Sequence, residues 1–184
     1  MSTFFSADWH LMHANILVHC NRPFNDTGEM NNTIINNINA VVGPDDWLHF
    51  LGDLALTKNS NIHHIKYLLS KINCKNLTWI LGNHDEITEP FKDRFRWIKD
   101  VNTINVNGQK IFLSHYAHRV WAKSHKSVWH LYGHSHGSLP DDPNSMSFDV
   151  GVDCHGYKPV SFDRVKELMS KKTFKPVDHH KERH

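Results

Sequence analysis

Five apolar segments of this sequence end in side chains that commonly bind metal ions or carry protons. In chain order these side chains are Asp8 and His10, Asp53, Asn83 and His84, His115, and His134 with His136. The candidate ligands offer nitrogen and oxygen and no sulfur, which suits divalent ions such as Mn, Fe, Zn, Co or Ni. Their repetition at the ends of segments indicates a metal site assembled from several loops.

The candidate ligands are too numerous for one tetrahedral ion. They fit two ions that share a bridging carboxylate, as in hydrolytic sites whose metals lie about 3.5–4 Å apart. Such a pair can hold a phosphate, lower the pKa of a water and stabilise the attacking and leaving oxygens. Gly52, Gly82 and Gly133 directly precede candidate ligands, where the backbone must turn sharply or approach closely. The sequence therefore predicts a dinuclear hydrolytic centre.

Strands alternating with helices are predicted to position these side chains. Because sites in layered α/β folds gather at the carboxyl ends of strands, we expect an α/β fold in which the five segment ends converge. Apolar spacing predicts two helices, Ser161 is the predicted N-cap of a third, and Asn107-Gly108 predicts a hairpin turn. The predicted strands span 3–7, 46–51, 77–81, 101–106, 110–113, 128–132 and 147–152, and the predicted helices span 29–41, 62–72 and 161–169.

Length and composition are typical of one globular domain. The 184 residues are 39% hydrophobic and 22% charged, and we predict a domain over 1–171 followed by a polar, loose tail over 172–184. The formal net charge of +2 argues against a broad nucleic-acid-binding face. The sequence has no apolar run of about 18 residues and no signal peptide, and its three cysteines are widely separated. We therefore expect a cytoplasmic protein without a membrane partner.

The ordered motifs resemble those of the calcineurin-like metallophosphoesterases. The matching segments are Asp8-Trp9-His10, Gly52-Asp53, Gly82-Asn83-His84-Asp85, His115 and Gly133-His134-Ser135-His136. A single Gly-Asp pair has little specificity, whereas all five motifs in order are highly specific. The resemblance implies a four-layer αββα sandwich, in which two mixed β-sheets pack face to face and are flanked by helices.

The same resemblance implies a role for each motif residue. Asp8, His10 and His136 would hold one metal ion, Asn83, His115 and His134 would hold a second, and Asp53 would bridge the two. His84 would protonate the leaving group as a general acid, and Asp85 would orient or tune it. Hydrolysis would proceed by in-line attack of a metal-bridging hydroxide, without a phospho-enzyme. Manganese is the ion that we expect to support activity in vitro.

Departures from the family pattern narrow the range of expected substrates. The eukaryotic Ser/Thr phosphatases continue their Gly-Asp motif with an acidic residue and an arginine, whereas here Leu54-Ala55-Leu56 follows. A protein phosphatase is therefore disfavoured. The chain looks more like small single-domain phosphoesterases of bacteria and phages. The expected substrate is a small phosphate monoester or diester, with a nucleotide among the candidates; the natural substrate and the oligomeric state stay open.

Three further residues are candidate substrate contacts: His13, Arg22 and Arg119. The planar fork of arginine suits phosphate. A structural cap is the alternative for His13, and a surface salt bridge is the alternative for Arg22. Two other functions also stay open. One is a metal-dependent nuclease on DNA or RNA, which the basic stretch from Arg119 to Lys126 would serve. The other is a non-catalytic, metal-bound scaffold.

Overall fold

The computed structural model describes residues 1–56, 61–175 and 177, and in it the strands form two mixed sheets. The strands are β1 (Thr3–Ser6), β2 (Trp47–Phe50), β3 (Asn76–Ile80), β4 (Ile98–Lys99), β5 (Val101–Val106), β6 (Gln109–Ser114), β7 (Trp129–Tyr132), β8 (Ser147–Asp149) and β9 (Val160–Ser161). The first sheet has the order β4-β3-β2-β1-β9, and the second has the order β5-β6-β7-β8. Strands β1 to β4 are parallel and β9 is antiparallel to β1. In the second sheet β5 and β6 are antiparallel, and β6, β7 and β8 are parallel.

Within the described residues, four α-helices accompany the sheets: α1 (Ala14–His19), α2 (Thr27–Val41), α3 (Ile62–Ser70) and α4 (Phe162–Met169). Two of them begin at side-chain caps. The Asp26 carboxylate accepts a hydrogen bond from the amide of Glu29 at the start of α2, and Ser161 caps α4 as predicted. No helix in the described ranges is long and apolar enough to cross a membrane.

The core lies in two main layers, one on each face of the first sheet. Ile34 of α2 and Leu68 of α3 belong to a cluster that includes Leu48 and Trp79 of the sheet. Because side chains alternate along a strand, the opposite face of the same sheet carries a second set. That set includes Phe5 and packs with the second sheet. The last helix also packs into this cluster, through Phe162, Val165 and Met169.

The structure confirms the α/β fold with two mixed sheets and several helices. The outer face of the second sheet has a different cover from that of the first. There Phe112, Trp121 and Val128 form a small cluster, against which Met146 packs. On this outer face, the fourth layer of the fold is built from loops and the short 3-10 turn Ser124–Lys126.

The beginning of the predicted loose tail is held against this cover. The Lys172 side chain is only 5% exposed, and its ammonium donates to the carbonyl of Ser147 at 2.7 Å. The amide of Thr173 donates to Pro143, and that of Lys175 donates to Asn144. Local composition does not reveal these long-range hydrogen bonds of 172–175, and the loose tail over 172–184 stays a prediction. Apart from Val177, the rest of that tail lies outside the described residues.

Candidate metal centre

The predicted ligands lie just beyond the carboxyl ends of five strands. Asp8 follows β1 by two residues, Asp53 follows β2 by three and Asn83 follows β3 by three. His115 directly follows β6, and His134 follows β7 by two residues. Because β1, β2 and β3 are parallel, as are β6 and β7, each sheet brings its own ligands to one edge.

Two groups of candidate ligands have side-chain atoms close enough to share an ion. Asp8, His10 and His136 form one group, and Asp53, His115 and His134 form the other. Within each group the ligand atoms lie within 4.8 Å of one another. A further group joins His10, Asp53 and His84. His10 and Asp53 therefore connect the two predicted metal positions.

The two oxygens of Asp53 face different groups. Its Oδ2 lies 3.3 Å from Nε2 of His10, and its Oδ1 lies 3.4 Å from Nε2 of His115. The side-chain oxygen of Asn83 is 3.2 Å from the same nitrogen of His115. A carboxylate that presents one oxygen to each ligand set is the arrangement that a bridging ligand requires.

The residues present fit divalent ions. Nε2 of His10 is buried and has no hydrogen-bond partner among the described residues, although it lies 3.3 Å from Asp53. That contact has the distance of an ion pair without the angles of a hydrogen bond. A buried nitrogen facing a carboxylate oxygen in this way can be satisfied by a cation between them. The donor set of imidazole, carboxylate and amide suits such an ion.

Charge states in the centre are set by burial and by neighbouring groups. Burial lowers the pKa of His10 to about 2, which keeps the imidazole neutral. Burial alone would raise the pKa of Asp53, but the hydrogen-bonded His115 and other neighbours lower it to about 2. Burial raises the pKa of Asp8 to about 7. Neutral imidazoles and ionised carboxylates are the ligand forms, and metal binding would displace a proton from Asp8.

Five candidate ligands have backbone conformations that L-residues seldom adopt. The φ angles are positive at Asp8 (61°), His10 (49°), Asp53 (60°), His134 (68°) and His136 (47°). Such conformations are uncommon for residues other than glycine and persist where the surrounding structure enforces them, often at functional sites. The strained positions are concentrated at the residues that the sequence assigns to metal binding.

Two histidines are oriented by hydrogen bonds at the nitrogen that would not bind metal. Nδ1 of His115 donates to the carbonyl of Leu51 at 2.8 Å. Nδ1 of His136 lies 2.6 Å from a carboxylate oxygen of Asp153 and donates to it. Each bond leaves Nε2 as the free ligand atom, which is the usual support for a metal-binding histidine.

Asp153 is a residue of the centre that the sequence did not assign, and it explains Arg22. The Arg22 guanidinium forms two hydrogen bonds with the Asp153 carboxylate, at 2.8 and 2.7 Å. It also donates to the carbonyls of Trp9 and Asp8. The prediction of a substrate contact at Arg22 is therefore wrong, as is the surface salt bridge, because the side chain is buried and its nitrogens are used internally. The signal in the sequence that could have found this role is Asp153 itself, an acidic residue directly after the predicted strand 147–152.

Asp85 supports the backbone of Asp53 instead of contacting the His84 ring. Its carboxylate accepts hydrogen bonds from the amides of Asp53, Leu54 and Gly82. It also accepts one from the Trp79 indole at 3.0 Å. No hydrogen bond in the described ranges joins it to the His84 side chain. Burial raises the pKa of Asp85, while the amide donors favour its ionised form.

His84 and His13 lie together beside the candidate metal ligands. The amide of His84 donates to Asp53 at 3.0 Å, and its ring lies 5.1 Å from that of His10 and 5.3 Å from that of His13. Both side chains are partly exposed. His13 occupies the cap position of α1 but makes no side-chain capping bond. Its Nδ1 lies 3.2 Å from that of His10 instead.

Arg119 lies on a neighbouring cavity rather than among the ligands. It is exposed, and together with His118 it lines a cavity of about 560 Å³. Lys123, from the same basic stretch, lines a different cavity. The stretch therefore does not present its charges as one continuous track. Tyr116, which the sequence did not single out, lies beside one of the candidate ligands. Its ring is 4.6 Å from that of His134.

The chain is similar to proteins that cover nearly its whole length. An uncharacterized protein of Methanocaldococcus jannaschii, MJ1445, is 36% identical over 170 residues, spanning 90% of this chain and 89% of that protein. No family model matches the sequence.

Similarity also extends to solved structures. The Aquifex aeolicus protein of unknown function AQ665 has a TM-score of 0.70 and 23% identity, covering 91% of this chain and 98% of that one. The Escherichia coli phosphoesterase Yfce has a TM-score of 0.46 and 17% identity, covering 82% and 78%.

Identity at this level over nine-tenths of both chains establishes common descent with the Methanocaldococcus protein. The five motifs, in order, meet at the ends of strands in two mixed sheets. The chain therefore belongs to one family with MJ1445, and its motifs resemble those of the calcineurin-like metallophosphoesterases.

Proposed function

We propose that this protein is a dinuclear metal-dependent phosphoric ester hydrolase acting on a small phosphate monoester or diester. The observation that carries the proposal is the position of Asp53, which presents one oxygen to His10 and the other to His115. A carboxylate shared by two ligand groups is the feature that distinguishes a two-metal centre from a single site. Phosphatases are among the enzymes that use such a pair of ions.

Each ligand group would hold one ion. Asp8, His10 and His136 would hold the first, and Asn83, His115 and His134 the second, with Asp53 in common. When bound, two divalent ions supply an activated water and stabilise negative charge on the reacting phosphate. Manganese, iron, zinc, cobalt and nickel all suit these donors, and manganese is the first choice for an assay.

His84 would deliver a proton to the leaving oxygen. Its backbone is fixed by the bond from its amide to Asp53, while its ring stays partly exposed beside His10 and His13. A general acid held beside the reacting phosphate typically contributes about 10²–10⁴-fold in rate. Asp85 would act indirectly, because its carboxylate holds the backbone of Asp53 and Leu54. His13 would contact the phosphate or the leaving group from the same opening.

Nuclease action is not favoured. Long nucleic acids are usually bound along a continuous positive groove. Here the net charge is +2, and Arg119 and Lys123 line separate cavities. A small substrate needs only the opening beside His13 and His84. A nucleotide is the candidate that we carry forward.

Hydrolysis of two simple esters tests the proposal. Purified protein is analysed for bound metal and then assayed with manganese on 4-nitrophenyl phosphate and bis(4-nitrophenyl) phosphate. Turnover of at least one ester is expected. Asp53→Asn should lower kcat/KM by more than about 100-fold, because mutating residues that only support metal ligands already lowers activity by up to about 100-fold. It should also lower the number of ions bound per chain.

Asp163→Asn is the matched control, because Asp163 is exposed in the first turn of α4, which follows the antiparallel strand β9 and none of the strands that carry candidate ligands. It should behave like the parent protein. If the parent binds metal but turns over neither ester, or if Asp53→Asn retains full activity, the hydrolase proposal fails. Metal binding without turnover of any ester would instead support a scaffold.

A further inference from the structure

A cavity on the outer face of the second sheet has no role in the chemistry proposed above. Its volume is about 560 Å³, within the range of about 300–1,000 Å³ that is common for small-molecule sites. It lies where loops, instead of a long helix, cover the sheet. Its apolar wall includes Trp121, Tyr132, Leu139, Pro140 and Phe174.

The cavity adjoins the candidate metal centre through two strands. Tyr132 lines the cavity at the end of β7 and lies two residues before His134. Ala117 lines it two residues after His115. Since consecutive Cα atoms are about 3.8 Å apart, each pair of Cα atoms lies within about 8 Å. One substrate can therefore reach both places.

A buried polar group faces the cavity without a partner. Ser124 is 6% exposed and lines the cavity, and its hydroxyl oxygen is buried with no hydrogen-bond partner among the described residues. Buried side-chain hydroxyls usually have a hydrogen-bond partner. A ligand in the cavity would supply one.

The remaining wall is polar and carries both signs of charge. Hydroxyl and amide groups come from Ser124, Ser145, Ser147 and Asn144, and a carboxylate comes from Asp142. Arg119 and Lys175 contribute cationic groups on the same cavity. Apolar rings on one side, with hydroxyls and a carboxylate on another, complement a flat heterocycle joined to a sugar.

We propose that this cavity binds the nucleoside part of a nucleotide substrate, with its phosphate at the neighbouring metal centre. The assignment rests on the proposed phosphoesterase function for the position of the phosphate. The heterocycle lies against the aromatic wall, where the Arg119 guanidinium can stack on it. The sugar hydroxyls meet the serine hydroxyls and Asp142. The buried Ser124 hydroxyl gains its missing partner from the nucleoside.

Nucleoside binding can be measured without catalysis. Parent protein in excess chelator is titrated calorimetrically with adenosine, guanosine, cytidine and uridine, none of which carries a phosphate. At least one is expected to bind saturably with Kd of about 1 mM or below. Arg119→Ala and Ser124→Ala should each weaken that binding at least fivefold. Arg164→Ala removes an exposed arginine on α4 and should leave it unchanged.

The outcomes separate this inference from the proposed function. If no nucleoside binds while the manganese-loaded protein hydrolyses a nitrophenyl ester, the cavity assignment is overturned and the hydrolase stands. The assignment is also overturned if Arg119→Ala and Ser124→Ala both bind like the parent. If nucleosides bind to the parent and not to these variants, but no phosphate ester is hydrolysed, the cavity assignment stands and the hydrolase proposal fails.

Discussion

The buried pair of Arg22 and Asp153 shows how one residue acquires its role from its partner. Asp153 receives two bonds from the guanidinium and one from His136. Arg22 also donates to the carbonyl of Asp8. The arginine therefore supports both ends of one ligand group without reaching the substrate. Its side chain has no exposed surface.

Arg22→Gln should destabilise the protein and weaken metal binding. Removing one partner of a buried ion pair costs about 3–5 kcal/mol, because the other charge is left buried and unpaired. Loss of such support typically weakens metal affinity by about 10–100-fold. Urea unfolding and metal titration measure the two effects, and KM for a nitrophenyl ester at saturating metal should not change.

Arg164→Gln is the matched control, since that arginine pairs with Glu167 at an exposed site. Exposed pairs contribute about 0–1 kcal/mol, so a much smaller loss of stability is expected. The role assigned to Arg22 would be contradicted if Arg22→Gln unfolded like the parent but raised KM more than tenfold. That result would make Arg22 a phosphate contact.

At the scale of the elements, the turns after the strands depend on glycines that contact the candidate ligands. A Cβ at Gly52 would lie 2.4 Å from Nδ1 of His115, and one at Gly82 would lie 2.3 Å from a carboxylate oxygen of Asp53. Gly52 also has a φ of 95°. The close approach that the sequence predicted at these positions is therefore present in the structure.

Gly52→Ala and Gly108→Ala separate crowding from backbone strain. Both glycines have positive φ, 95° and 88°, but a Cβ at Gly108 would meet no atom within 4 Å. Gly108→Ala should therefore cost only about 1–2 kcal/mol in unfolding free energy and leave the activity unchanged. Gly52→Ala must also displace His115, so it should lower metal affinity by tenfold or more. Unfolding and metal titration of both variants test this difference, and equal metal affinities would contradict it.

Most elements were predictable because their signals are local. Asn107 and Gly108 have φ of 51° and 88°, as the two-residue hairpin requires. The helix predicted over 29–41 begins two residues earlier, at Thr27, because its cap is Asp26. Strand β9 was missed, since two residues give almost no pattern and its pairing with β1 is a long-range contact.

At the scale of the whole molecule, a histidine buried between the sheets makes stability depend on pH. His49 is 6% exposed, bonds Thr78 at 2.8 Å and stacks near Phe5. Burial lowers its pKa to about 4. As pH falls below about 6.5, the unfolded chain takes up a proton at this position while the folded protein does not. Stability is therefore lost between about pH 6.5 and pH 4.

His49→Gln should reduce this acid sensitivity. The parent is expected to lose about 2 kcal/mol more unfolding free energy between pH 7 and pH 5 than the variant. Urea titrations of the parent and the variant, in chelator and at both pH values, measure this difference. Effects that the two proteins share, including those of the other buried histidines, cancel in the comparison. His63→Gln, at an exposed position of α3, should keep the parental pH dependence. An equal loss in parent and His49→Gln would contradict the explanation.

The sequence by itself determined the chemical types of the ligands, their order and the strands that they follow. These features are local, because a strand and the polar residues at its end are contiguous in the chain. Only the tertiary structure decided that Asp53 faces two ligand groups, that Asp85 serves the backbone of Asp53, and that Arg22 is internal. Arg22 and Asp153 are separated by 131 positions, and no local pattern records which distant groups folding brings together.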